Sequence, residues 1–597
     1  MGKKQKIVWS LACLATLLLT LLPFFQVGLT NPDDFQYFNT SHYPGQWVYD
    51  ATIYAHGAGR FFFLLTKYFY YVPYLGDNYA LTKFIQYFTV ACSYALFSFL
   101  VYKVFRSKRL AALTGLLLVF NMSLSTDIFP PTSYPFYFHF SLIVFLTALL
   151  SYVNYDEKGG YWRVVVGAVL ALVSCLFYEN YVLFSGFFIV FVFVREWNRN
   201  GFAALWKTKE FYKRVCPFIV ALAVYMACYV GYRSYLTSHF EDAVNYGGSI
   251  LSSHINWSNF FDILATFTIY TLPGKIAISQ NGNVWFALTH ASTAAYINAL
   301  IQCGLLWFLM KKADFKNMAW SRIIIGFLVA VFVAFASHTL IAVSEKYNAH
   351  LFQMRLYVTS MYSFFTVALA LALLIVLSVK LIHDERVRSA VVVVWCLLMA
   401  VFSINISYNN EVQGKEWKKS QNRITLMELV AKEHYFDKIP EQSVLYIESL
   451  LHTSPLAWSV CYESYDFQIF IGRVSGKKYV YAVSWEDLQN EMSLHPESEV
   501  YFLQAAESRN FDEMMFAFSH ISRMGDQLSS SVADAADVFY YSPTKKFTLF
   551  YGIPDAIGGV SYKALKMNSE DINHKFTHIS ICNECLYPLE FRVSNME

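Results

Sequence analysis

Asp33 and Asp34 stand side by side in the stretch Asn31-Pro32-Asp33-Asp34-Phe35-Gln36-Tyr37. They follow an apolar run from Ile7 to about Leu29, long enough to cross a bilayer. Acids at such a depth are costly, and catalysis at the membrane face is a chemical reason to keep them. A local role is also open. A Pro-Asp-Asp turn can cap the helix that follows, because a carboxylate oxygen accepts an orphan backbone N–H. Capping needs only one acid of the two.

A third acid, Glu179, lies in Tyr178-Glu179-Asn180 between two apolar segments, with nothing basic nearby in sequence. It is either paired in three dimensions, poised to act, or a solvated turn residue. Basic residues on the same side of the membrane are few. They are Arg60, Lys67, Lys83, Arg233, Lys275, Lys346 and Arg355, with His350 beside the last two. A phosphate at the membrane surface needs such partners, and arginine offers bidentate geometry. The competing role for each is snorkelling to lipid headgroups.

These residues are carried by a loop of about 30–82 that is much longer than a plain connection. It holds Asp33, Asp34, His42, Asp50, His56 and Arg60, then the aromatic run from Phe61 to Tyr71. That run predicts a helix lying flat in the headgroup plane; the alternative is a strip packed on the bundle.

The rest of the chain must hold that loop at a membrane. Of 597 residues, 56% are hydrophobic, 18% aromatic and only 15% charged, with a mean hydropathy of +0.36. A soluble protein carries nearer a quarter charged residues. Spanning segments are expected near 7–29, 82–105, 110–127, 135–153, 162–178, 181–195, 215–236, 287–310, 321–343, 356–380 and 388–407, about eleven in all at roughly 20 residues each. Segment 258–273 reads as interfacial or re-entrant. Alternate loops are rich in lysine and arginine, among them Lys3, Lys4, Lys6, Arg106, Lys108, Arg109, Arg195, Arg214, Lys311, Lys312 and Arg386. The positive-inside rule then puts the N-terminus in the cytoplasm and the acids outside.

From about Asn409 charges become frequent. Ser443–Ile447 and Lys478–Val483 read as strands and Ile424–Lys432 as a helix. The expected organisation is a membrane domain over 1–408 and a mixed α/β extracytoplasmic domain over 409–597, large enough for its own core. Seven of the ten cysteines fall in or beside apolar segments and read as small hydrophobes. Cys582 and Cys585 form a lone C-x-x-C, read as a disulfide or as free thiols.

Several classes are excluded. A net charge of +3 without basic tracts argues against nucleic acid. No phosphate-binding glycine loop, zinc-protease helix or nucleophile elbow stands out.

At Pro32-Asp33-Asp34, Gly59-Arg60, Tyr178-Glu179-Asn180 and Arg355 the chain resembles the GT-C superfamily of integral-membrane glycosyltransferases. Within it, the likeness is to bacterial serotype-converting enzymes that glucosylate O-antigen. The resemblance covers roughly residues 1–400, and its motifs are short. It implies a mainly α, polytopic bundle in the bacterial inner membrane. It further implies a hexosyltransferase that moves a sugar from a polyprenyl-phosphate donor to a glycan or lipid acceptor on the extracytoplasmic face. Asp33 or Asp34 would be the general base, the other orienting the acceptor or binding a cation. Glu179 would bind a sugar hydroxyl or assist the pair. Arg355, with Lys346 or His350, would neutralise the leaving phosphate. Some members use a divalent metal such as magnesium or manganese; this sequence leaves the metal open and names no other cofactor. Two other functions compete, a glycan polymerase or ligase and a transporter of lipid-linked glycans. Loop 237–286, with His239, His254 and Lys275, keeps the first in view, while scarce mid-span charge apart from His338 argues against the second.

Overall fold

The computed structural model describes residues 3–27, 32–42, 44–76, 78–125, 129–130, 132–201, 208–311, 318–348, 355–418, 421–432, 434–447, 471–472, 474–507, 514–524, 527–541, 547–554, 560–567, 576–582 and 592–595. The chain divides into two compact units. One combines Met1–Phe25 with Gly45–Gly414, the other Gln26–Pro44 with Lys415–Glu597.

The first unit is a helix bundle. Its long helices are α1 (Lys3–Gln26), α5 (Tyr79–Phe105), α6 (Lys108–Phe120), α7 (Pro135–Lys158), α8 (Trp162–Cys175), α9 (Asn180–Asn200), α10 (Lys209–His239), α14 (Thr293–Lys311), α15 (Trp320–Ala336), α18 (Ser360–Leu381) and α19 (Glu385–Lys418). Shorter pieces between them are α3 (Trp47–Ala58), α4 (Phe63–Thr66), α11 (Trp257–Ile269), α12 (Lys275–Asn281), α13 (Val284–His290), α16 (Thr339–Ala342) and α17 (Glu345–Asn348). Each expected spanning segment overlaps a helix, but 110–127 is helical only to Phe120, and 287–310 and 321–343 are each divided between two helices. Among the described residues eight helices are long and apolar enough to cross a membrane, and α8 and the Leu11–Gln26 part of α1 are shorter apolar helices. Segment 258–273 becomes α11 followed by a turn through Gly274, whose φ of 72° lies in the left-handed region.

Local chemistry sets the boundaries. Asn78 accepts a hydrogen bond from Leu81 N and starts α5. Arg106 then adopts φ 58°, and Ser107 accepts from Leu110 N to start α6. Inside the bundle, polar side chains join helices where no water can. Thr16 donates to Asn298 at 2.6 Å, and Ser403 donates to Gln302 at 2.7 Å. These contacts tie α1 and α19 to α14.

Charge gathers at one end. Glu157 at the end of α7 pairs with Lys103 and Arg106, at 2.6 and 2.5 Å. Asp156 pairs with Arg195 of α9 and Arg214 of α10. The opposite end is held by amides. Asn410 accepts from Leu124 N at 2.7 Å and donates to Met122 O at 2.8 Å, while Asn409 donates to Leu124 O at 2.9 Å. The backbone after α6 leaves helical geometry there, and these side chains replace its missing partners. Asn348 does the same for Asn256 and Ala342.

The aromatic run does not form the flat helix expected. It breaks into α4 and two 3-10 turns, Lys67–Tyr70 and Val72–Tyr74. Phe62 and Tyr71 are fully buried. Tyr70 stacks on Tyr137 with ring centroids 3.9 Å apart, and Phe69 meets Phe140 and Phe177. The strip packs on the bundle, its rings set against Tyr137, Phe140 and Phe177 in stacked and edge-on pairs.

In the second unit, α2 (Pro32–Ser41) carries the acidic pair and α20 spans Gln421–Lys432. Strands β1 (Val444–Ile447), β2 (Val480–Ala482) and β3 (Val500–Glu507) pair in parallel in the order β2-β1-β3. Strands β4 (Met514–Met524), β5 (Gln527–Tyr541), β8 (Phe576–Cys582) and β9 (Arg592–Asn595) continue the sheet antiparallel. β6 (Phe547–Pro554) and β7 (Val560–Met567) form a separate hairpin. Helix α21 (Trp485–Leu494), capped by Ser484, covers the parallel part through Leu488 and Met492. Mixed α/β architecture is what the sequence implies here. Cys585 and Cys461 lie outside the described residues.

Candidate active site

Helix α3 ends at Gly59, whose φ of 62° is open to glycine at low cost. Its N–H closes on Ala55 O and His56 O, and Arg60 N donates to Ala55 O at 3.0 Å. The chain turns and aims Arg60 inward. A second turn supplies its partner. After α8 the backbone passes through Leu176, Phe177 and Tyr178 to Glu179, which opens α9 by accepting from Val182 N at 2.9 Å. Tyr137 donates to Phe177 O at 2.8 Å and Thr66 to Leu176 O at 3.0 Å, which fixes this turn.

Arg60 Nε donates to Glu179 Oε1. The two side chains are 15% and 19% exposed, so the pair is largely withdrawn from water. Burial opposes the Arg60 charge, yet the Glu179 carboxylate and the surrounding tyrosines hold its pKa above the ordinary arginine value. Burial first, then the Glu179 charge, pushes the Tyr178 phenol well above its usual range.

Tyrosines close the site. The segment after α10 runs past α3, with Val244 N on His56 O and Tyr246 N on Gly57 O, both at 3.0 Å. Tyr246 and Tyr347 hydroxyls are 3.4 Å apart, and Tyr347 donates to Tyr357 at 2.8 Å. Burial raises the pKa of both Tyr347 and Tyr357, so these phenols stay neutral donors. Arg233 donates to Tyr229 Oη at 2.8 Å and to Ser249 O at 2.9 Å. Lys346 is exposed, with its ammonium 5.0 Å from the Tyr246 ring centroid. Arg60, Glu179, Arg233 and Lys346 therefore share one tyrosine-lined patch.

The other residues expected from sequence lie on other elements. Arg355 is exposed and donates to Ser279 Oγ at 3.2 Å, on α12. Lys275, the first residue of α12, is exposed beside the Tyr270 ring, at 5.3 Å. Arg355 and Lys346 thus have different partners, and His350 lies outside the described residues. Asp33 and Asp34 occupy the first turn of α2, within the second unit, with Pro32 ahead of them. Acids in a first turn favour the helix dipole. Asp34 is buried at 5% exposure; the Asp33 side chain is outside the description.

Two charges that the sequence places in the long loop without a role are buried in the first unit. Lys67 is 1% exposed, with Nζ 3.2 Å from the Tyr54 ring centroid. Asp50, 2% exposed, accepts from Tyr71 at 3.0 Å. The tyrosines Tyr229, Tyr246, Tyr347 and Tyr357 were likewise unmarked; the 43 tyrosines of the chain are a compositional excess but name no position. Among the described residues no group of three or more histidine, cysteine, aspartate or glutamate side chains gathers in metal-ligand fashion. Glu179 is already turned to a guanidinium, so the patch does not fit a divalent cation and none is assigned to it.

No family model matches this sequence, and no curated protein matches it. Among solved structures, the chain is similar to ArnT from Cupriavidus metallidurans bound to undecaprenyl phosphate, at 14% identity and a TM-score of 0.39, covering 84% of this chain and 94% of that one. It is also similar to the oligosaccharyltransferase of Archaeoglobus fulgidus in complex with zinc and sulfate, at 12% identity and a TM-score of 0.38, covering 83% and 68%. Likenesses of this size assign no function.

Proposed function

We propose that this chain is a GT-C-type membrane glycosyltransferase. It takes a sugar from a polyprenyl-phosphate donor and passes it to a glycan or lipid acceptor on the extracytoplasmic face of a bacterial inner membrane. The observation that carries this reading is the Arg60–Glu179 pair, set among tyrosines with Arg233 and Lys346 beside it. It lies in a chain with eight membrane-length helices. The sequence motifs Pro32-Asp33-Asp34 and Tyr178-Glu179-Asn180 support the same reading. The orientation follows from charge, with the N-terminus cytoplasmic and the C-terminal domain outside.

In this reaction the acceptor hydroxyl oxygen attacks the anomeric carbon. The bond from that carbon to the phosphate oxygen breaks, and the polyprenyl phosphate leaves with one more negative charge. A general base must take the hydroxyl proton, the role that the sequence resemblance gives to Asp33 or Asp34. Arg60 has five N–H donors and spends Nε–H on Glu179, so its geometry suits a phosphate as well. Lys346 adds a point charge from the rim. Charge growing on the phosphate is where fixed cations act most strongly. Glu179 orients Arg60, and sugar hydroxyls meet the neutral phenols of Tyr246, Tyr347 and Tyr357.

The test is sugar transfer by the full chain in proteoliposomes supplied with polyprenyl-phosphate hexoses. Transfer that disappears in Arg60→Ala, in protein that still inserts and folds, supports the proposal. Full activity in that variant overturns it.

A further inference from the structure

A cavity of about 410 Å³ lies between α1, α5, α6 and α14, and none of its lining residues belongs to the Arg60–Glu179 patch. Its walls are almost wholly apolar. Leu17, Ala95, Leu116, Leu305 and Phe308 line it, and exposed Cys13 and Ala112 stand at its margin. The volume is that of a small-molecule site. Among membrane helices an empty apolar space forfeits dispersion contacts along all its walls, while hydrocarbon chains are at hand to supply them.

The depth is set by helix geometry. The lining residues of α6 run from Ala112 to Val119, roughly 6 to 17 Å beyond Lys108 at 1.5 Å per residue. Leu309 of α14 is roughly 3 Å short of Lys311. Ala91 of α5 lies roughly 18 Å from Lys103 and Leu17 of α1 roughly 17 Å from Lys6, so the cavity runs from near the cationic ends of its walls to about the bilayer midplane, one leaflet's hydrocarbon being about 15 Å deep.

Those ends carry unspent charge. At the α5–α6 corner Lys103 and Arg106 share the single carboxylate of Glu157. Lys108 and Arg109 on the same corner, and Lys311 at the end of α14, have no carboxylate within ion-pair distance among the described residues. Lys108 and Lys311 are exposed, and α1 opens with Lys3, Lys4 and Lys6 in its sequence. Basic residues over an apolar groove on the cytoplasmic side fit an anionic headgroup above a hydrocarbon tail.

We propose that this cavity binds one acyl chain of an anionic phospholipid of the cytoplasmic leaflet, with the phosphate held by Lys108, Arg109 and Lys311. The site is separate from the Arg60–Glu179 patch and stands whether or not sugar transfer is the activity. Native mass spectrometry of the detergent-purified full chain reads it. The probes are phosphatidylglycerol, phosphatidylcholine with the same chains, and a polyprenyl phosphate. Retention of one phosphatidylglycerol at least tenfold better than phosphatidylcholine is expected. Lys108→Gln/Arg109→Gln/Lys311→Gln should abolish that preference, and Ala112→Phe should lose the adduct by filling the groove. The charge variant alters only the ends of helices, so it tests the site even where Ala112→Phe does not fold. Equal retention of both phospholipids, an unchanged preference in the charge variant, or retention of the polyprenyl phosphate alone overturns the proposal.

Discussion

Arg60 Nε donates to Glu179 Oε1 across 119 residues of sequence, joining the end of α3 to the start of α9. Breaking such a withdrawn pair costs about 3–5 kcal/mol, because the survivor is left charged and unmatched. The double variant Arg60→Ala/Glu179→Ala should therefore be less destabilised than the two single variants added together. The excess should be about 1–3 kcal/mol in a thermal or denaturant series. Additive losses would mean that the two side chains are not coupled.

Gly59 stands where no other residue fits well. A Cβ there would lie 3.0 Å from both methyls of Val244 and 3.3 Å from Cγ of Arg233, at a φ of +62°. Gly59→Ala should cost more than about 1 kcal/mol of stability. It should also raise KM for the lipid-linked donor, since it presses directly on Arg233. An unchanged KM would separate Arg233 from donor binding.

Asp33→Asn and Asp34→Asn address the base. Loss of one general base lowers turnover by about 10²–10⁴-fold. One of the two substitutions should do this while leaving membrane insertion intact. Wild-type turnover in both would remove the aspartates from the reaction.

The phenols of Tyr178, Tyr347 and Tyr357 have pKa values raised by burial. Their folded state binds protons more tightly than the unfolded chain, whose tyrosines titrate near 10. Stability from this source is whole below about pH 10 and falls as pH rises further. Melting followed from pH 8 to 11 should show a steep alkaline decline, made shallower by Tyr178→Phe. A flat profile would contradict the burial of these groups.

Much of the bundle is legible in the sequence because apolar runs of spanning length have few other fates. Glu179 is readable as an acid that is paired, poised or solvated, and the structure pairs it with Arg60. The aromatic strip was misread as a flat helix. Amphipathic rings suit a headgroup layer and a bundle surface equally, and only the positions of Tyr137 and Phe177 decide between them. Lys67 and Asp50 are named in the sequence but given no role, because a charge in a long loop looks solvated until Tyr54 and Tyr71 are seen beside it. The grouping of Tyr246, Tyr347 and Tyr357 was invisible for another reason. It depends on the path of the segment after α10, which no local pattern specifies.

The fastening of the irregular backbone by Asn409, Asn410 and Asn348 has a consequence for ageing. Neutral amides neither screen with ionic strength nor titrate, so this rim should hold in brine and in acid alike. Its weakness is hydrolytic. Conversion of Asn410 to aspartate would replace the donor facing Met122 O with a second acceptor and set like dipoles against each other, so that a single slow chemical change could undo what neither salt nor protons can.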